Sequence, residues 1–86
     1  MISREIIITN PSGIHAIYAA QIAELVRGFE SDVFMRKGHK TANCRSLISV
    51  LGLSARQGDS LTVMVDGTDE TAAMETVVAF IKGLTD

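Results

Sequence analysis

Two histidines, one cysteine and scattered hydroxyls are the residues of this chain that could do chemistry. His15 is the strongest candidate, because it follows Ser12-Gly13-Ile14 and immediately precedes a predicted helix. A side chain at such an N-cap faces the free backbone N–H groups of the first helical turn. The positive end of the helix dipole disfavours an imidazolium there and favours a bound phosphoryl group. His15 is therefore a candidate phosphoryl acceptor, although by position alone an ordinary histidine near a helix start is more common.

Ser46 is a second candidate, since it is predicted to cap a short helix over residues 47–51. A phosphate added to its hydroxyl would lie at a helix N-terminus, where negative charge is stabilised. A plain N-cap is the simpler explanation of this serine from its position alone.

The other reactive side chains indicate no catalytic centre. His39 is expected in a solvent-facing hairpin turn, and Cys44 is expected to be a small, partly buried apolar residue. Acidic residues near the last helix are expected to cap it and offset its dipole; they are Asp66, Asp69 and Glu70. We therefore expect no metal, no cofactor and no self-contained enzyme at this size.

Composition limits both the architecture and the class of function. The 86 residues allow one domain over positions 1–86, and 8 Lys and Arg against 10 Asp and Glu give a net charge of −2. Nucleic-acid binding is not expected, because it needs a strongly basic face. The longest apolar runs, 16–20 and 77–81, are far short of the ~20 residues that span a bilayer. With Arg4 and Glu5 where a signal peptide would be apolar, we expect a cytoplasmic protein without membrane insertion.

The spacing of apolar residues predicts the element order βαββαβα. The predicted strands are residues 2–9, 33–37, 40–42 and 61–65, and the predicted helices are 16–29, 47–51 and a last one capped by Thr68 or Asp69. We expect three helices to cover one face of a four-stranded, mainly antiparallel sheet, with the other face open to water. This fold is an α+β open-faced β-sandwich.

Four segments together resemble the HPr family, the histidine-containing phosphocarriers of the bacterial sugar phosphotransferase system (PTS). The segments are Gly13–Ala16, Lys40–Leu47, Gln57–Asp59 and Gly67–Glu70, and their spacing fits the family without an insertion. The resemblance spans essentially the whole chain and implies the same βαββαβα sandwich.

The resemblance implies roles for both candidate residues. The family histidine matching His15 receives a phosphoryl group from enzyme I and passes it to sugar-specific IIA-type proteins. In many Gram-positive members the serine matching Ser46 is phosphorylated by an ATP-dependent serine kinase, which implies a regulatory protein as a further partner. We expect a monomer. The partner-binding face of the family is represented here, beside His15, by Ile17, Tyr18, Ala20, Gln21, Leu47, Ile48 and Leu51.

The chain departs from the family motif directly after the histidine. The family has Gly-x-His-Ala-Arg-Pro-Ala, whereas residues 13–19 read Gly-Ile-His-Ala-Ile-Tyr-Ala. Ile17 cannot stabilise phosphoryl charge or meet an acidic partner as arginine does. Losing such a cation typically slows phosphoryl transfer by about 10³-fold or more. Only Arg27 and Arg45 are predicted as nearby cations.

Three functions remain open from the sequence. The first is an HPr-like phosphocarrier, which the retained His15 favours. The second is a divergent regulatory paralogue that binds a protein through Ser46 and the apolar face without efficient phosphotransfer, which the missing arginine favours. The third is a nucleic-acid or small-ligand module, against which the acidic charge and few aromatic residues weigh.

Overall fold

The computed structural model describes residues 1–86, and its seven elements follow the predicted order. The strands are β1 (Ile2–Ile7), β2 (Asp32–Lys37), β3 (Lys40–Asn43) and β4 (Ser60–Asp66), and the helices are α1 (Ala16–Val26), α2 (Leu47–Gly52) and α3 (Glu70–Lys82). The strands form one antiparallel sheet in the order β1-β4-β2-β3, with three helices packed on it. The predicted α+β open-faced β-sandwich is confirmed.

Alternation along the strands gives the sheet one buried face. In β4 every second side chain is buried, and the same side of β2 contributes Val33 and Met35. The helices bury a matching stripe at three- and four-residue spacing, because 3.6 residues make one turn. This stripe consists of Ala19, Ile22 and Val26 in α1 and Ala73, Val77 and Ile81 in α3. Each buried Val or Ile contributes roughly 1.5–3 kcal/mol.

The opposite face of the sheet is turned to solvent. Ser3 and Glu5 of β1 and Thr41 of β3 are exposed there. Phe34 of β2 lies opposite Met64 of β4 on this face, and both residues are half-buried. None of the helices has the length and apolar content needed to cross a membrane.

Cys44 differs from its prediction. It is fully buried rather than partly buried, and this burial raises the pKa of its thiol to about 12. The thiol is therefore protonated at neutral pH and fills space in the core.

Helix α1 ends three residues earlier than predicted, at Val26. The backbone N–H groups of Gly28 and Phe29 donate to the carbonyls three residues before them, at 3.1 and 3.2 Å, which tightens the last turn and ends the helix. Phe29 still packs against the core from this turn.

Asp69 joins the start of α3 to the turn before β2. It occupies the N-cap position, but its side chain does not cap the helix, in contrast to the prediction. The carboxylate instead accepts hydrogen bonds from the backbone N–H groups of Glu30 and Ser31, each at 2.9 Å, and from the Ser31 hydroxyl. These contacts, led by the Ser31 hydroxyl, hold the pKa of Asp69 below its ordinary value.

Replacing Asp69 with Asn should destabilise the fold in a pH-dependent way. A carboxyl whose pKa is lowered by folding stabilises the native state above its unfolded pKa, here 3.8, and this stability is lost as the pH falls through the folded pKa. The melting temperature of Asp69→Asn should therefore lie furthest below that of the wild type at neutral pH. Thermal unfolding followed by circular dichroism from pH 7 to pH 2 measures the gap.

The matched control is Glu75→Gln, which removes an exposed carboxylate from the same helix. Its melting temperature should follow the wild type at every pH. A gap for Asp69→Asn that stays constant down to the lowest pH would contradict the role assigned to this carboxylate.

Candidate functional site

His15 takes the predicted N-cap position of α1. Its backbone is extended, with φ −84° and ψ −178°, and its Nδ1 accepts a hydrogen bond from the backbone N–H of Ile17 at 3.2 Å. Because an accepting nitrogen presents a lone pair, the neutral ring so oriented carries its proton on Nε2. A ring lone pair thus lies at the helix N-terminus, where amide donors and the helix dipole would stabilise a bound anion.

Gly13 shapes the turn that leads into α1. Its φ of +62° is in the left-handed region, and a Cβ atom here would lie 2.3 Å from the carbonyl oxygen of Ala55. Ile14 donates its backbone N–H to that same oxygen at 3.0 Å, and the buried Asn10 side chain donates to the Gly13 carbonyl at 2.9 Å. These contacts fix the backbone from which His15 projects.

The imidazole of His15 stacks on the ring of Tyr18. The ring centroids are 4.1 Å apart and the planes differ by 23°. Tyr18 meets Phe80 of α3 edge-on, with centroids 6.4 Å apart. The sequence placed Tyr18 on the partner face without predicting the stack. The three-residue spacing from His15, which puts both on one side of a helix, is the signal that could have found it.

The predicted partner face lies on α1 and α2, which pack against each other. Its most exposed apolar side chains are Ile17 and Ile48, at 64% and 81% exposure. Of the other predicted members, Ala20, Gln21, Leu47 and Leu51 are exposed and Tyr18 is half-buried. The surface beside the histidine is therefore largely apolar.

Ser46 is the N-cap of α2, as predicted. Its hydroxyl oxygen accepts a hydrogen bond from the backbone N–H of Ser49 at 3.2 Å. The residue is half-buried, and the helix that it starts carries the exposed Leu47 and Ile48.

The two cations that the sequence suggested near His15 are occupied by other contacts. The Arg45 guanidinium binds the carboxylate of Asp32 at 3.1 Å and two carbonyls in the turn after α1. Arg27 pairs with Glu24 one turn away on the same helix, also at 3.1 Å. Neither is a free cation for a group bound at His15.

The structure places the backbone of a different arginine, Arg56, against the turn that leads into His15. Its Cα lies 2.8 Å from the position that a Gly13 Cβ would take. Arg56 is exposed, and its guanidinium forms no ion pair or hydrogen bond. Sequence reasoning missed it because a loop residue 41 positions from His15 gives no periodic signal. Arg56 directly precedes Gln57–Asp59, one of the four segments that resemble the HPr family, and this adjacency was the available signal in the sequence.

Comparison with known proteins identifies the family. The family described as "PTS HPr component phosphorylation site" matches residues 2–83. The phosphocarrier protein HPr of Haemophilus influenzae is 36% identical over 84 residues, which cover 98% of this chain and 99% of that protein. The chain therefore belongs to the HPr family. Members of this family are phosphocarrier proteins and not stand-alone enzymes.

Two further similarities differ in how much of each protein they cover. The multiphosphoryl transfer protein of Xanthomonas campestris pv. campestris is 40% identical over 78 residues, which cover 91% of this chain but only 9% of that protein. The crystal structure of HPr-C-His from Thermoanaerobacter tengcongensis matches with a TM-score of 0.90 at 29% identity, covering 95% of this chain and 92% of that chain. The family fold is thus shared over almost the whole chain.

Gly13→Ala should destabilise the protein more than Gly38→Ala. The two glycines have nearly the same φ, +62° and +61°, so an alanine at either position carries left-handed strain of ~1–2 kcal/mol. An added Cβ would meet a backbone oxygen at Gly13 but nothing within 4 Å at Gly38. We expect the free energy of unfolding to fall by at least about 1 kcal/mol more for Gly13→Ala. Urea denaturation measures both values, and equal losses would contradict the close approach to Ala55.

Proposed function

We propose that the chain is a phosphocarrier that accepts a phosphoryl group on Nδ1 of His15 from enzyme I and passes it to IIA-type proteins. The observation that carries this proposal is the hydrogen bond from Ile17 N–H to Nδ1, because it orients a lone pair at a helix N-terminus. Membership of the HPr family supports the same role. The proposed function places the protein in the cytoplasm, where it acts as a monomer.

The covalent bonds that change in the transfer are those of phosphorus to the imidazole and to the donor. The Nδ1 lone pair of His15 forms a bond to phosphorus as the bond from phosphorus to the donor atom breaks, and the electron pair of the broken bond stays with the donor. The Nε2 proton remains on the ring. The Ile17 N–H, no longer bonded to Nδ1, becomes available to a phosphoryl oxygen. Transfer to the IIA-type acceptor reverses these changes.

The exposed side chains of α1 and α2 form the proposed docking surface for both partners. Ile17, Leu47, Ile48 and Leu51 supply apolar area, and Tyr18, Ala20 and Gln21 complete the surface on α1. Ser46 lies at the start of α2, so a phosphate placed there by a serine kinase would add negative charge to this surface. We propose that this charge regulates partner binding and is recognised by a regulatory protein.

A regulatory paralogue that binds a protein without efficient phosphotransfer is the second candidate function. The isoleucine at position 17 favours it, because this side chain is 64% exposed and cannot pair with a phosphoryl group. The retained histidine with its N-cap geometry favours the phosphocarrier.

Replacing His15 should abolish labelling by enzyme I and phosphoenolpyruvate. We expect the wild type to gain one acid-labile phosphoryl group, seen by intact-protein mass spectrometry at neutral pH, and His15→Ala to gain none. His39→Ala is the matched control, since His39 is exposed in the β2–β3 turn, and it should be labelled like the wild type. If the wild type stays unlabelled where Haemophilus influenzae HPr is fully labelled, the regulatory paralogue becomes the better description.

Ser46→Asp should keep the fold and weaken partner docking. A carboxylate can accept the Ser49 N–H and complements the helix dipole, so the loss of unfolding free energy should be well under ~1 kcal/mol. Labelling of His15 by enzyme I should become slower, because the new charge lies in the proposed docking surface. Ser3→Asp, which adds the same charge on the open face of the sheet, should leave the rate unchanged.

Urea denaturation and the labelling rate together test this prediction. A marked loss of stability in Ser46→Asp would show that the hydroxyl serves the fold. Equal rates for the two aspartate variants would contradict a docking surface at α2.

A further inference from the structure

The loop between α2 and β4 runs beside the turn that carries His15. The carbonyl of Ala55 accepts the Ile14 N–H at 3.0 Å, and the Cα of Arg56 lies 2.8 Å from a Cβ built on Gly13. Gly13 and His15 are two residues apart, which separates them by at most ~7 Å. The Cα of Arg56 therefore lies close enough to the backbone of His15 for a side chain as long as arginine's to reach the imidazole.

The backbone of Arg56 is held in place from two directions. Its N–H donates to the Asp59 carboxylate at 2.8 Å, and Lys37 of β2 binds that carboxylate at 2.9 Å. Lys37 also donates to the carbonyl of Ser54 at 2.8 Å. The hydrogen bond from Lys37, followed by the one from the Arg56 N–H, holds the pKa of Asp59 below its ordinary value. The loop thus has a hydrogen-bonded backbone beside the turn that leads into His15.

The guanidinium of Arg56 is free while its backbone is fixed. The Asp59 carboxylate, on which the charge of Arg56 also acts, forms its ion pair with Lys37 and not with the Arg56 guanidinium. Arg27 and Arg45, by contrast, are engaged in ion pairs of their own. An arginine in this state can pair with an incoming anion without first breaking a salt bridge.

Phosphoryl transfer creates a need for such a cation. Charge on the phosphoryl oxygens is stabilised by guanidinium groups, which offer paired N–H donors to two oxygens at once. Position 17, two residues after His15, holds an isoleucine that cannot do this.

We propose that Arg56 supplies this cation and that its guanidinium contacts the phosphoryl group as the group moves onto and off Nδ1 of His15. This inference rests on the proposed phosphocarrier function. Arg56 forms no covalent bond and transfers no proton. The phosphorus–nitrogen bond forms from the His15 lone pair, and the donor keeps the electrons of the bond that breaks.

Arg56→Gln tests the proposal by removing the charge while keeping most of the side chain. With enzyme I and phosphoenolpyruvate, kcat for labelling of His15 should fall at least about tenfold, and KM should change much less, because the contact strengthens in the transition state. Arg36→Gln is the matched control. Arg36 is also exposed and without an ion pair, but it lies on the open face of the sheet, so its loss should change neither constant.

A second arginine should compensate for the first. Ile17→Arg should raise kcat in the wild type and in the Arg56→Gln background. The fold increase in the Arg56→Gln background should be at least about ten times the fold increase in the wild type, because both guanidinium groups serve the same phosphoryl oxygens. Equal factors in the two backgrounds would show that position 17 and Arg56 act separately and would overturn the proposal.

Chemical labelling with phosphoramidate separates failure of this proposal from failure of the phosphocarrier function. It phosphorylates His15 without enzyme I, and the ³¹P resonance of the phosphohistidine should shift in Arg56→Gln but not in Arg36→Gln. If enzyme I does not label the wild type while this shift is seen, the phosphocarrier function fails and the Arg56 contact stands. If both variants match the wild type in ³¹P shift and in kcat, the Arg56 contact is overturned.

Discussion

The close approach of Gly13 to Ala55 is the constraint on which the candidate site depends. Two chain segments about forty residues apart meet there backbone to backbone, with no room for a Cβ atom at position 13. The contact lies in the turn that leads into α1, and Nδ1 of His15 accepts a hydrogen bond from the first turn of that helix. It also brings Arg56 to the same place. One steric condition therefore places the backbones of both the proposed nucleophile and the proposed cation.

The sheet and its helices could be predicted from the sequence because they depend on local patterns. Leu61, Val63 and Val65 alternate strictly, and this period of two matches the pleat of β4. The N-cap roles of His15 and Ser46 were likewise predictable, because capping joins residues two or three positions apart.

Features that depend on distant partners could not be predicted in the same way. Asp69 looked like a helix cap, but amide donors 38 and 39 residues away bind its carboxylate instead. The loop position of Arg56 follows only from the fold, since no spacing in the sequence relates it to His15. A local pattern identifies the groups that a residue could bind, and the tertiary structure decides which of them it does bind.

The stack of His15 on Tyr18 has a practical consequence for observing the site. Tyr18 is the one tyrosine of the chain, which has no tryptophan. Its ring lies 4.1 Å from the imidazole, so any change of charge on that imidazole acts on the ring that dominates the ultraviolet emission of the protein. We therefore expect the emission of Tyr18 to report the state of the histidine in real time and without a label.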